Sequence, residues 1–97
     1  MKSLGVKISF LHRDEDNFKL FGSKDYSNKS RIDFNLIKTS IGKKLIDGEF
    51  FYPIDFKIDK FDELQNEVVE SWYELESVLE IILESDEQML TDIIEVL

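Results

Sequence analysis

The chain has 97 residues, 42% of them apolar, with a formal net charge of −9. That size suits one compact domain over residues 1–97 with a single core, and two domains would each be too small to close without staples. No cysteine is present, so disulfides and thiolate metal sites are excluded and a reducing, cytoplasmic setting is expected. The start of the chain, with lysines at 2 and 7 and charge again from Arg13, has no apolar signal segment. The longest apolar run, Ile81-Ile82-Leu83, is far short of the roughly 18 residues of a membrane span, so a soluble protein is expected. Alanine is absent while isoleucine occurs eleven times and lysine ten, a bias that reads as AT-rich coding in a bacterial, phage or mobile-element source.

Residues 4–11 set Val6, Ile8 and Phe10 on one side and Lys7 and Ser9 on the other, the period of a half-buried strand. The polar cluster from His12 to Asn17 reads as a turn, Phe18, Lys19, Leu20 and Phe21 as a short return strand, and residues 23–30 as a mobile surface loop. Residues 31–46 carry two competing patterns. Ile32, Phe34 and Leu36 alternate like a strand, whereas Phe34, Ile37, Ile41 and Leu45 recur like a helix. Gly42 and the β-branched residues weaken a helix and Asp47-Gly48 signals a type I′ hairpin, so a strand over 31–38 and a hairpin arm over 42–46 are expected. Phe50, Tyr52, Ile54, Phe56 and Ile58 alternate as a strand, and Pro53 places it at a sheet edge or bulge.

From Phe61 the period becomes helical. Leu64, Val68, Leu75, Leu79 and Ile82 form an apolar stripe that predicts a helix over residues 61–84, and Ser85-Asp86-Glu87-Gln88 reads as a capping box opening a second helix with Met89, Leu90, Ile93, Ile94 and Leu97 buried. The expected fold is α+β: a small, mostly antiparallel sheet from the N-terminal half, packed with two C-terminal helices.

No complete catalytic or metal motif is present, so neither enzymatic activity nor a cofactor is expected. His12 is a lone histidine in a polar stretch and reads as a solvated turn residue. In the run Asp14-Glu15-Asp16, Phe18 and Lys19 stand where a calcium loop needs a ligand and a glycine. Gly42-Lys43-Lys44 lacks the upstream glycine and the Ser/Thr of a phosphate loop, and no nucleophile elbow occurs.

Charge is the strongest functional feature. Residues 1–48 hold ten Lys/Arg and six Asp/Glu, a net of +4, whereas residues 49–97 hold two and fifteen, a net of −13. After Lys60 there are twelve acids and no base. The scattered lysines of the first half do not build a phosphate track beside such a polyanion, so nucleic-acid binding is not expected. On the expected helix Glu63, Glu67, Glu70 and Glu74 form one acidic row and Glu76, Glu80 and Glu84 another. These rows contain like-charge i,i+4 pairs that oppose helix stability. Trp72 at the stripe's edge and Tyr73 outside it read as aromatic anchors among carboxylates. The candidate partner-binding residues are therefore Glu63, Glu67, Glu70, Trp72, Tyr73, Glu74, Glu76 and Glu80, with a basic protein as partner. The expectation that follows is an immunity protein covering the phosphate-attracting cleft of a nuclease-type toxin. The alternatives are a nucleic-acid mimic of the anti-restriction or anti-CRISPR type that blocks a DNA-binding defence protein, or an adaptor subunit of a larger assembly.

Overall fold

The computed structural model describes residues 3–14, 16–59, 61, 72–84 and 90–97. Two long strands, β1 (Ser3–Arg13) and β2 (Lys19–Ser27), form an antiparallel hairpin from Gly5 opposite Ser27 to Arg13 opposite Lys19. Its turn is held by Asp14, whose carboxylate accepts from the backbone N–H of Asp16 at 2.9 Å and of Phe18 at 2.8 Å, while Asn17 takes a left-handed φ of 65°. A short carboxylate that hydrogen-bonds the next backbone amides is what makes Asp and Asn turn formers. The return strand is thus longer than its apolar pattern suggested. The segment expected as a mobile loop instead delivers Tyr26 into the core, fully buried.

Helix α1 (Phe34–Lys44) replaces the strand and hairpin arm expected over 31–46. Asp33 caps it by accepting from the N–H of Asn35 at 3.0 Å and of Leu36 at 3.3 Å, and Lys43 and Lys44 lie at its C-terminus. Ile37 and Ile41 are completely buried, whereas Leu36 of the competing alternation faces solvent. Burial of the helical stripe outweighs the weak β-branched penalty. The Asp47-Gly48 turn does form: both residues have positive φ, and the Glu49 N–H donates to the Ile46 carbonyl at 3.1 Å.

Beyond it β3 (Phe50–Phe51) is only a short strand, because Pro53 opens a 3-10 helix, Pro53–Phe56, that Lys57 closes in the left-handed conformation. The expected face of a longer strand is split accordingly. Phe51, Pro53, Phe56 and Ile58 are buried while Ile54 is exposed.

The largest correction concerns the C-terminal half. Residues expected to form the main helix build β4 (Tyr73–Leu83), antiparallel to β1 from Ser3 opposite Leu83 to Leu11 opposite Glu74. Leu64 and Val68 lie outside the described residues, Leu75 is half-buried, and Leu79, expected in the core, is exposed. Of the second expected helix, residues 85–89 lie outside the described residues and Ile93–Glu95 is a 3-10 turn with a capping box formed by Asp92 and Glu95. Ile93 is buried there, but Ile94 is not. The sheet order is β2-β1-β4-β3, a curled antiparallel sheet, and α1 is the one α-helix among the described residues. The domain is therefore mostly β, not a sheet under two C-terminal helices. Among the described residues no helix is long and apolar enough to cross a membrane.

The core is aromatic at its centre. Tyr73 stacks on Phe10 at 5.6 Å and on Phe61 at 5.2 Å, and Phe51 meets Phe10, Phe56 and Tyr73 edge-on. Gly22 allows this, since a Cβ there would stand 2.9 Å from both Phe10 and Phe61 ring atoms. His12, expected in a solvated turn, ends the buried face of β1 with its ring edge-on to Tyr73. The C-terminal segment is tied down by Asp92, which accepts from the Ser27 hydroxyl, the Lys29 N–H and the Ile94 N–H. Its partial burial raises the carboxyl pKa, but these donors outweigh that and leave it below the ordinary value. The stabilisation from this clamp is present above the ordinary carboxylate range and is lost as pH falls through it.

Two measurements check this packing. Gly42 is exposed with no atom within 4 Å of the position a Cβ would take, so Gly42→Ala is expected to stabilise the protein by about 1 kcal/mol in urea unfolding. The buried Tyr26 hydroxyl donates to the Phe56 carbonyl at 2.6 Å, and burial raises its pKa above the ordinary phenol value. The folded state then holds the neutral phenol more strongly than the unfolded chain does, so stability declines as pH rises above about 10. Tyr26→Phe is expected to lose about 1–3 kcal/mol at neutral pH by orphaning that carbonyl, and to remove the alkaline decline.

Candidate functional site

Strand β3 covers only the beginning of β4, pairing Phe50 with Glu74 and Phe51 with Tyr73, with one further bond from the Leu75 N–H to the Glu49 carbonyl at 2.8 Å. Among the described residues no strand pairs with the outer edge of β4 beyond that point, from residue 76 to residue 83. Alternate residues of that run turn their N–H and C=O groups away from β1, so among the described residues β4 is a central strand at one end and an edge strand at the other.

The side chains along this edge are acidic and apolar in turn. A register shift between Ser9 and Phe10 of β1 leaves Glu76 as the extra residue of a bulge, flanked by Leu75 opposite Phe10 and Ser77 opposite Ser9. Beyond the bulge Glu80 lies opposite Val6 and Ile82 opposite Leu4 on one face, while Leu79 lies opposite Lys7 on the other. Glu76, Leu79, Glu80, Ile82 and Glu84 are all exposed, Leu79 and Ile82 to 52% and 55%. Among the described residues none of these three carboxylates has an ion-pair partner.

At the paired end the picture differs. Glu74 is engaged by Arg13, whose Nε donates to it at 2.9 Å, and Arg13 also reaches Asn17. Trp72, 48% exposed, packs against Phe50 at 5.9 Å and Tyr52 at 6.0 Å, forming an aromatic cluster where β3 begins to cover β4.

The structure thus divides the residues expected to bind a partner. Glu76, Glu80 and Trp72 are exposed on or beside β4. Glu74 is there too, but tied to Arg13. Tyr73 is not a surface anchor: it is fully buried in the aromatic core and its hydroxyl accepts from the Phe61 N–H at 3.1 Å. The strand alternation that exposes Trp72 turns Tyr73 inward. Glu63, Glu67 and Glu70 lie outside the described residues. The i,i+4 rows expected on a helix do not exist on β4, where Glu74 shares a face with Leu11, Glu80 shares one with Val6, and Glu76 sits at the bulge.

Helical reasoning missed Leu79 and Ile82, which it assigned to the core, and the partners Phe50 and Tyr52 of Trp72. The β-branched Val78, Ile81 and Ile82 next to Trp72 and Tyr73 were the signal for a strand. Among the described residues no three His, Cys, Asp or Glu side chains come together as a possible metal site. Comparison with protein-family models, curated proteins and solved structures finds no match.

Trp72 is the sole tryptophan, so its fluorescence reports this surface directly. Half-exposed beside the acidic strand of a protein of charge −9, it is expected to be quenched more strongly by caesium than by iodide at low ionic strength when each quencher is referred to its effect on free N-acetyltryptophanamide, the difference closing as salt is added. Equal quenching at low salt would mean that no acidic field surrounds it.

Proposed function

We propose that this protein is a non-enzymatic, acidic inhibitor of the immunity type, which neutralises a basic, nuclease-type toxin domain by covering its phosphate-attracting surface. The observation that carries this is the edge of β4 and the residue after it, where Glu76, Glu80 and Glu84, with no ion-pair partner among the described residues, alternate with exposed Leu79 and Ile82. Carboxylates in excess over the nearby Lys7 steer a basic surface into encounter, and apolar side chains among them gain from being desolvated once it arrives. An acidic surface that served solubility alone would not need apolar groups of this size in its midst.

The same geometry argues against imitation of a nucleic acid by this strand. Acids four residues apart on a strand stand about 13 Å from one another. A duplex carries one charge per about 1.7 Å of its axis. An adaptor role would use the same edge but would leave the partner's activity intact.

The test is to present the tethered protein to purified basic nuclease-toxin domains. A bound domain is expected to lose hydrolysis of DNA or RNA at one-to-one stoichiometry, with association slowing by about tenfold or more as ionic strength rises toward about 0.15 M. Glu76→Gln, Glu80→Gln and Glu84→Gln combined are expected to slow association at low salt without loss of fold. If association proves indifferent to salt and to the three substitutions, or if the saturated toxin domain keeps its activity, the inhibitor proposal is wrong.

A further inference from the structure

We infer that the outer edge of β4 over residues 76–83 is a strand-addition site, and that its occupant is an extended basic segment of the partner that continues the sheet. This rests on the acidic docking surface proposed above and specifies how that surface is engaged. A partner that met only the side chains would leave the edge's outward N–H and C=O groups to water, whereas an added strand satisfies them in a ladder.

The faces of β4 define the occupant's sequence. Glu80 and Ile82 project on the face of Val6 and Leu4, and Leu79 on the face of Lys7, so an added strand aligns one set of its alternate residues with Glu80 and the other with Leu79. The complementary segment therefore carries Lys or Arg on the Glu80 face and an apolar residue on the Leu79 face. The bulge at Glu76 twists the near end of the edge, and β3 blocks further extension at Glu74, which confines the added strand to the far end of β4.

Charge also selects against a second copy of this chain as the occupant. Two β4 edges paired with each other would set rows of unpaired carboxylates side by side, and like charges on adjacent strands repel. Acids on an edge protect it from self-association. A basic strand reverses the sign of that interaction, so the groups that exclude a second copy are the ones that recruit the partner.

The test uses the whole protein and a synthetic peptide of about nine residues with Val and Lys in alternation. Two further peptides carry N-methyl groups on alternate residues, one peptide in each phase, and a fourth has Glu in place of Lys. The Val-Lys peptide is expected to slow hydrogen exchange at alternate amides of residues 76–83. N-methylation in one phase is expected to weaken binding by about tenfold or more, and in the other phase to leave it unchanged, because one edge of an added strand faces β4 and the other faces water. The Val-Glu peptide should not bind the wild-type protein but should bind Glu80→Lys.

If the Val-Lys peptide binds with salt dependence and both methylated peptides bind equally well, strand addition is wrong while acidic docking stands. If phase-dependent binding is seen and the toxin domains are not inhibited, the inhibitor proposal fails and the edge site stands. No protection of residues 76–83 by the Val-Lys peptide overturns the edge site. So does sedimentation showing a dimer that protects those amides without peptide.

Discussion

The rest of the structure depends on the pairing of β1 with β4, which joins Ser3 to Leu83 at one end and Leu11 to Glu74 at the other. β1 is buried along Val6, Ile8 and Phe10 and lies between two neighbours, so both of its edges must find backbone partners. β2 follows through a short turn and satisfies one edge. The other edge would leave a row of N–H and C=O groups unpaired beside a fully buried face, at about 1–3 kcal/mol for each group. That demand is enough to make a strand of residues whose apolar spacing also fits a helix. A helix at 73–83 would satisfy its own backbone and leave that of β1 unpaired.

The aromatic core follows from the same pairing. Tyr73 enters the sheet opposite the end of β1, which brings its ring onto Phe10 and, through the short β3, onto Phe51. Gly22 on β2 leaves the space in which Phe10 and Phe61 meet. Polar ties around this core join segments distant in sequence. Tyr26 holds the carbonyl of Phe56, Lys44 reaches the carbonyls of Asp55 and Val96 from the end of α1, and Asp92 gathers three donors at the end of β2. Tyr26 and Asp92 fix connecting segments against β2, and Lys44 joins α1 to the 3-10 segment and to the C-terminus.

The candidate site is a consequence of unequal strand lengths. β4 runs from Tyr73 to Leu83, but Pro53 turns the chain away after Phe51, so β3 covers only the first residues of its neighbour. Among the described residues what is left is an edge bearing Glu76 and Glu80 together with exposed Leu79 and Ile82. Under either the solubilising or the docking interpretation the acids protect this edge from pairing with itself.

Several features were determined by the sequence itself, because they depend on neighbours along the chain. The alternation of Val6, Ile8 and Phe10, a turn within the polar cluster that ends at Asn17, though it begins after Arg13 and not at His12, and the positive φ at Asp47 and Gly48 all arise from local sterics and hydrogen bonds. The concentration of acid after Lys60 is also a property of the sequence alone; it points to Glu63, Glu67, Glu70, Trp72, Tyr73, Glu74, Glu76 and Glu80, of which Trp72, Glu76 and Glu80 are exposed while Tyr73 is buried and Glu74 is tied to Arg13. Tertiary structure alone decided where two periods competed. Residues 34–44 became a helix because Ile37 and Ile41 could be buried together, and residues 73–83 became a strand because β1 required a backbone partner. The inward turn of Tyr73 and, among the described residues, the open edge beyond residue 75 follow from that second choice. It was made by hydrogen bonds to residues some seventy positions away, which no local pattern of apolar spacing contains.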